Sequence, residues 1–432
     1  MQNGWARADS PWVVSQPAVS GRRWLLSRDF AYVWWGQTVS QIGDGISKLA
    51  LLWFVYAVTG SPLKTTLIGL LQTIPPIVLG PLIGVAVDRL PKKPLLIASD
   101  ISRAILIGLI PCWMPVESFT VERLYLLVFL HAVATALFGP ALTASIPSIV
   151  APSQYTAANA LLQSTTSLGV LMGPALSGIG IAVLSSQDVL CLNAVTYLAS
   201  ALFFLRIRVA PPETTDRDQG QGVMRSTFAD LLEGIRFALF QQPTILFLTL
   251  TAALYTFATS AFTTLFPVFG RKLLDLGPIE VGYLWSALGV GLLAVSIALI
   301  WISEWSLERR IRVITAASSI SGAALLALVG ATNGYVAGAL MCLVGGGLGT
   351  LTPIAWGVLQ ELSPPSMVGR ALAVYSTGAM TAAIAGLTFF GWVATEFGES
   401  ISLIGIGLVL FATAIVAATF SRWVRSDVAA RL

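Results

Sequence analysis

The sequence predicts an all-α membrane protein with twelve transmembrane helices in two groups of six. Three observations lead there. Charged residues make up 11% of the 432 positions, hydrophobic residues 56%, and mean hydropathy is +0.80. Twelve apolar runs are each long enough to cross a bilayer, which takes roughly 20 residues. One polar stretch, about 209–241, divides those runs six and six. A soluble surface carries roughly 25% charged residues, so this composition excludes a soluble enzyme, a disordered chain and a nucleic-acid binder. Inside lipid only helices and closed barrels satisfy the backbone, and continuous apolar runs without alternation point to helices.

The runs read, in order, about 30–58, 63–87, 94–114, 122–149, 155–184, 188–207, 243–270, 279–302, 311–331, 334–360, 369–395 and 400–422. Turn signals separate them: Gly60-Ser61-Pro62, Pro91, Pro152-Ser153, Asn333-Gly334 and Pro364-Pro365. The first run, about 29 residues, is too long for the apolar region of a signal peptide, so it is expected to remain as the first membrane helix. The expected organisation is an N-terminal arm (1–29), a six-helix bundle (30–208), a linker (209–242), a second bundle (243–423) and a short tail (424–432). Within the linker, Phe228, Leu231, Leu232, Ile235 and Leu239 form one helical apolar stripe, which suits a short helix on the membrane surface. Cys112, Cys191 and Cys342 all fall inside apolar runs, and the chain has a single His, so neither a disulfide framework nor a metal or cofactor site is expected.

Lys and Arg are distributed unevenly. One side of the predicted membrane collects 19 of the 25, including both termini and the central linker; the other has Lys64, Arg123, Arg271 and Lys272. The positive-inside rule therefore places both termini in the cytoplasm, in a cell inner (plasma) membrane. Weak internal similarity relates the halves: Gly139-Pro140, Pro152 and Ala158-Asn159 in the first match Thr352-Pro353, Pro364-Pro365 and Gly369-Arg370 in the second. Such repeats are the construction rule of secondary transporters.

Several motifs carry more specific information. The 2–3 loop reads Gly84-Val85-Ala86-Val87-Asp88-Arg89-Leu90-Pro91-Lys92-Lys93, a helix end with an acid followed by three cations. Span 5 contains Gly169-Val170-Leu171-Met172-Gly173-Pro174-Ala175-Leu176-Ser177-Gly178, a smooth stripe interrupted by a proline. The first resembles the loop signature of the major facilitator superfamily, with Pro91 as a departure. The second is similar to the antiporter motif of that family's proton-coupled drug exporters, with Ser177 replacing one glycine. Further matches are Phe30-Ala31-Tyr32-Val33-Trp34-Trp35-Gly36-Gln37, Gly43-Asp44, Thr59-Gly60-Ser61-Pro62, Gln360-Glu361 and Gly369-Arg370-Ala371. Together they resemble the exporter branch that includes macrolide-efflux and enterobactin-exporter proteins, over about residues 28–425. The resemblance implies the major facilitator fold and alternating access. It also implies gating by Gly84, Asp88, Arg89, Lys92 and Lys93, joined by Asp100 and Arg103 at the start of span 3, and an exporter role for Gly169, Gly173, Pro174 and Gly178.

Ionisable residues within spans are expensive and default to function. Asp44 falls near the middle of span 1 with Lys48 one turn on, so the two share a helix face. Asp44 is a candidate proton carrier with Lys48 as its partner; the competing reading is a permanent structural ion pair. His131, the sole His, is a second proton-coupling candidate, or a packing group bonded to a backbone carbonyl. Trp53, Tyr255, Phe262 and Trp356 lie deep in their spans and are candidate substrate-binding residues, against the commoner role of aromatic packing. The Gly345–Gly349 run lacks the Lys-Ser/Thr of a P-loop, so the expected energy source is an ion or substrate gradient. The sequence thus points to a secondary active transporter, expected as a monomer, exporting an amphipathic small molecule such as a drug, macrolide or siderophore-like metabolite by proton antiport. A lysolipid or lipid flippase of the same fold, and a non-transporting receptor or assembly factor, are the alternatives. Expected partners are substrate, protons and membrane lipid, with no nucleic acid.

Overall fold

The computed structural model describes residues 27–113, 120–151, 154–208, 243–302, 305–362 and 368–431. The N-terminal arm to residue 26, the 209–242 linker with its expected surface helix, and Leu432 lie outside the described residues. Thirteen α-helices follow: α1 (Arg28–Thr59), α2 (Pro62–Arg89), α3 (Lys92–Trp113), α4 (Val121–Ser145), α5 (Tyr155–Val183), α6 (Asp188–Leu205), α7 (Pro243–Leu273), α8 (Pro278–Ile302), α9 (Leu307–Leu328), α10 (Gly334–Leu348), α11 (Leu351–Leu362), α12 (Val368–Glu396) and α13 (Glu399–Arg431). They make 12 candidate membrane spans, the tenth built from α10 and α11 together.

Local chemistry explains the boundaries. Ser27 caps α1 by accepting from Phe30 N–H at 3.1 Å, and Gly60 ends that helix at φ 61, in the left-handed region. Ser61 then caps α2, with Pro62 in its first turn, where a missing N–H costs nothing. Span 10 breaks at Gly349-Thr350. The glycines before the break are weak helix formers, and Pro353 has no N–H to serve the carbonyl four residues back. Thr350 closes the end of α10 by donating its side-chain hydroxyl to Gly346 O at 2.7 Å.

The two bundles repeat one packing scheme. In the first, α1 packs on α5 and α6, α3 on α4 and α6, and α2 on α4; in the second, α7 packs on α12 and α13, α9 on α10 and α13, and α8 on α10. Each pair in one half has its counterpart six spans later, so the repeat visible as matching prolines extends to the whole architecture. The halves meet through α5 on α8 and α2 on α12, which exchange under the same symmetry.

That contact is confined towards one end. Leu63 N–H donates to Thr395 Oγ1 at 3.1 Å, Ala175 N–H to Ser286 Oγ at 3.2 Å, and the Arg271 guanidinium lies 5.6 Å from the Trp53 ring centre. All join opposite halves in the part of the molecule remote from the basic loops, here the distal end. At the other, basic end the helices stand apart: Val78 and Leu82 of α2 are 65% and 60% exposed, and Gly139 and Gly357 meet nothing within 4 Å. The molecule is therefore closed distally and open at the basic end.

Candidate functional site

Five helices of the first bundle bring polar side chains to one place. α1 supplies Asp44 and, one turn on, Lys48; α6 supplies Asn193 and Tyr197, also one turn apart; α4 supplies His131, α2 Gln72, and α3 Asp100 and Arg103. A cavity of about 440 Å³ is lined by Asp44, Lys48, Gln72, His131, Asn193 and Tyr197 together with apolar Leu51, Ile107 and Val128. That size suits a small-molecule ligand, for which pockets run roughly 300–1,000 Å³.

The tyrosine is the hub. Its hydroxyl donates to Asp44 Oδ1 and lies 3.0 Å from His131 Nε2. Because the phenol's one hydrogen goes to the carboxylate, the imidazole contact uses the Nε2–H of the ring. Gln41 adds a longer contact to Asp44 at 3.4 Å. Behind this row lies Arg103, 1% exposed, ion-paired with Asp100 and placed 4.4 Å from the Tyr197 ring centre and 4.1 Å from that of Phe138. The buried guanidinium is thus held by one carboxylate and two aromatic faces. Asp44, Tyr197, His131, Arg103 and Asp100 form one continuous network, buried at Tyr197, Arg103 and Asp100 and half-buried at Asp44 and His131 where it meets the cavity.

Several expected placements are corrected. Asp44 and Lys48 make no ion pair: Asp44 turns to Tyr197, while Lys48 faces the space between the halves with its Nζ 5.7 Å from the Trp285 ring centre on α8. Asp100 and Arg103 do not join the loop cluster. Their side chains are buried within the bundle, because both lie near the middle of α3 (Lys92–Trp113), where it packs between α4 and α6, rather than at its loop end. Gly84 has open space rather than a neighbouring helix beside it. In the loop, Lys92 bonds to the carbonyls of Val87 and Leu90, and Lys93 to those of Leu205 at 2.7 Å and Ile207 at 2.9 Å; Arg89 is exposed, and the Asp88 side chain lies outside the described residues. Tyr255 and Phe262 are core groups, the first donating to Gly347 O at 3.0 Å and the second packed on Phe266. Trp53 sits under Arg271 in the distal closure.

Trp356 lines a second cavity, of about 620 Å³, at the crevice between the halves. Its other walls are Gln163, Thr166 and Val170 of α5, Leu292 and Ser296 of α8, and Gly349, Thr352 and Pro353 at the break in span 10. No charged side chain lines it. Glycines of the glycine-proline motif make the tight helix contacts beside these cavities. A Cβ on Gly173 would stand 2.5 Å from Gly45 Cα, and one on Gly178 would stand 2.3 Å from Pro278 O, so α5 presses directly on α1 with one face and on α8 with another.

Tyr197, Asn193, Gln72 and, in the second cavity, Gln163, Thr166, Leu292 and Ser296 were not singled out from the sequence. A signal existed for two of them. Asn193, Thr196, Tyr197 and Ser200 recur at helical spacing in an otherwise apolar span, marking one polar face.

Comparison with known proteins agrees with this architecture. The family model for the Major Facilitator Superfamily matches residues 33–387. The chain belongs to that family. Among similar proteins, Macrolide efflux protein A of Streptococcus pyogenes is 24% identical over 398 residues, covering 91% of this chain and 95% of the relative. Multidrug efflux pump Tap of Mycolicibacterium fortuitum is 25% identical over 399 residues, covering 90% and 95%. Among solved structures, a bacterial homologue of the iron transporter ferroportin in an inward-facing state aligns with a TM-score of 0.71 at 15% identity, covering 91% of this chain and 98% of that one. A bacterial homologue of the human lysosomal transporter Spinster, inward-facing and unoccupied, aligns with a TM-score of 0.69 at 12% identity, covering 93% and 98%. The chain is thus a multi-pass transporter of the major facilitator fold whose sequence relatives include efflux proteins.

Proposed function

We propose that this transporter exports amphipathic small molecules, macrolides among them, by exchanging them for protons through alternating access. The observation that carries this reading is the Asp44 carboxylate held by Tyr197 at the wall of a cavity between membrane-spanning helices. A coupling group must be ionisable, lie within the membrane-spanning bundle and reach each face in turn, and Asp44 is an ionisable, half-buried side chain on a cavity wall inside the first bundle. In this scheme Asp44 carries the proton, and Tyr197 and His131 pass it along the row of hydrogen bonds. Lys48 supplies positive charge beside the ligand, and the uncharged crevice around Trp356 takes the apolar part. The α5 seam with Gly169, Gly173, Pro174 and Gly178 holds the distal end shut while substrate loads from the basic end. Asp88, Arg89, Lys92 and Lys93 then close the basic end in the opposite state, with Asp100 and Arg103 assigned to the buried network.

Positive-inside bias puts the basic end, with both termini, in the cytoplasm of a cell whose plasma membrane the protein spans. Cysteines placed at Ser61 and Glu399 then label from outside intact cells, and one at Gln219 does not; the reverse pattern overturns the orientation. Transport is tested in proteoliposomes holding the protein as a monomer, with erythromycin as the first probe. An imposed pH gradient drives the wild type to concentrate the macrolide. Asp44→Asn only equilibrates it, while keeping downhill exchange. Concentrative transport by Asp44→Asn at the wild-type rate refutes the assignment. An acyl chain also fits the uncharged crevice, which supports lipid flipping as a second reading; a fluorescent lysolipid moved between leaflets in the same vesicles distinguishes it.

A further inference from the structure

A third recess, of about 490 Å³, opens at the basic end of the first bundle between the start of α1 and the end of α6. Its walls are Arg28, Asp29, Tyr32, Arg206 and Arg208. It is separate from the transport cavities and shares no lining residue with them.

Three arginines in one concave place need a reason. Ordinary positive-inside charge is the first candidate, and completion of the α6 dipole the second. The second role is already filled: Lys93 reaches across from α3 and donates to the carbonyls of both Leu205 and Ile207. Arg206 and Arg208 therefore do not cap the helix, and among the described residues neither has a carboxylate within ion-pair distance. Two arginines at the same end of the second bundle do have carboxylates near them. Arg310 pairs with Glu361 at 2.7 Å, and Arg312 lies 3.8 Å from Glu308. What sets Arg28, Arg206 and Arg208 apart is that they line one concave recess together, which a bias in loop composition does not by itself require.

Geometry below the recess adds a second constraint. Arg28, Tyr32 and Trp35 follow at helical spacing on one face of α1, and Arg28 is oriented by bonds from Nε at 3.3 Å and Nη2 at 3.1 Å to the Tyr32 hydroxyl. Trp35 on α1 and Leu202 and Leu205 on α6, close along the chain to these arginines, are all exposed large apolar side chains, and the Tyr32 ring lies 6.4 Å from that of Phe203, where α1 and α6 come together. A ligand filling this place meets cations at its head and an apolar surface along its tail. We propose that the recess binds the phosphate headgroup of an anionic phospholipid, with Arg28, Arg206 and Arg208 on the phosphate and an acyl chain along Trp35, Leu202 and Leu205. Basic pockets between membrane helices are suited to such headgroups. A free phosphate would satisfy the same arginines but gain nothing from the apolar strip.

The test uses the purified full-length protein in detergent, examined by native mass spectrometry with dioleoylphosphatidylglycerol, dioleoylphosphatidylcholine or inorganic phosphate added. The wild type is expected to retain phosphatidylglycerol in preference to phosphatidylcholine, with millimolar phosphate displacing little of it. Arg206→Gln with Arg208→Gln lowers phosphatidylglycerol affinity about thirtyfold, given the attraction of each surface cation for an anionic lipid. Lys272→Gln, at the distal end, leaves it unchanged. Thermal stability in phosphatidylcholine alone stays at the wild-type value for every variant, which separates lost binding from lost folding. An unaltered preference in the double variant, or displacement of the lipid by phosphate alone, overturns the proposal.

Discussion

Tyr197 on α6 donates its hydroxyl hydrogen to Asp44 on α1 while the same oxygen accepts from His131 on α4. One phenol thereby joins three helices and links the carboxylate at the cavity wall to the sole imidazole in the chain. The Tyr197 ring also forms one of the aromatic faces against Arg103, so its hydroxyl and its ring have separable roles.

Tyr197→Phe keeps the ring and removes only the hydroxyl. The Arg103 stack survives, and the loss of a partner for Asp44 costs about 1–3 kcal/mol. Expected results are a small fall in Tm, downhill macrolide exchange near wild type and concentrative transport reduced about tenfold, as a shift of 1.4 kcal/mol implies. Concentrative transport equal to wild type at every pH would remove Tyr197 from the coupling path.

Arg103 is predicted to matter for folding first. Replacing it with Met leaves Asp100 buried without its cation, and breaking a buried pair costs about 3–5 kcal/mol. The Asp100→Leu, Arg103→Met double variant removes both charges and should recover much of the loss. Thermal unfolding of the detergent-purified proteins checks this; a single variant as stable as wild type would mean that the pair is not structural.

Glycines in the two motifs should respond in opposite ways. Gly173→Val forces side-chain atoms into Gly45 backbone at a seam that has no room, so folded protein should be lost. Gly84→Ala meets open space and exchanges a poor helix former for the best one, with a gain of up to about 1 kcal/mol in Tm-derived stability. Transport by Gly84→Ala should nevertheless fall, because closure of the basic end brings a second helix against that face. Full transport with raised Tm would show that α2 never packs closely there.

Much of the fold could be read from the sequence because lipid imposes a single requirement, an apolar run of adequate length, that each span satisfies on its own. The twelve expected runs and the observed spans differ mainly at their ends. The extra break inside span 10 was not read out, since Gly345–Gly349 and Pro353, which favour it, are tolerated in unbroken membrane helices too. The site was less legible. Spacing along one helix places Lys48 on the face of Asp44, but spacing cannot rank a lysine one turn away against a tyrosine 153 positions on that bonds it directly. Likewise Asp100 and Arg103 are read into the loop cluster although Arg103 falls at the middle of the expected span 94–114, and the packing of α3 between α4 and α6 shows that both are interior. Aromatic residues deep in a span were ambiguous for the same reason: Phe262 and Trp356 look alike in sequence, yet one is core and the other, 43% exposed, faces a crevice.

Proton release on substrate binding tests the central claim most directly. Purified protein in weakly buffered detergent solution is mixed with erythromycin, and the pH change is followed with an indicator dye, alongside binding measured by tryptophan fluorescence. If Asp44 is the shared site of proton and substrate, the wild type releases protons in proportion to bound macrolide, and Asp44→Asn binds the macrolide while releasing none. Equal proton release from wild type and Asp44→Asn, with equal binding, would contradict the account.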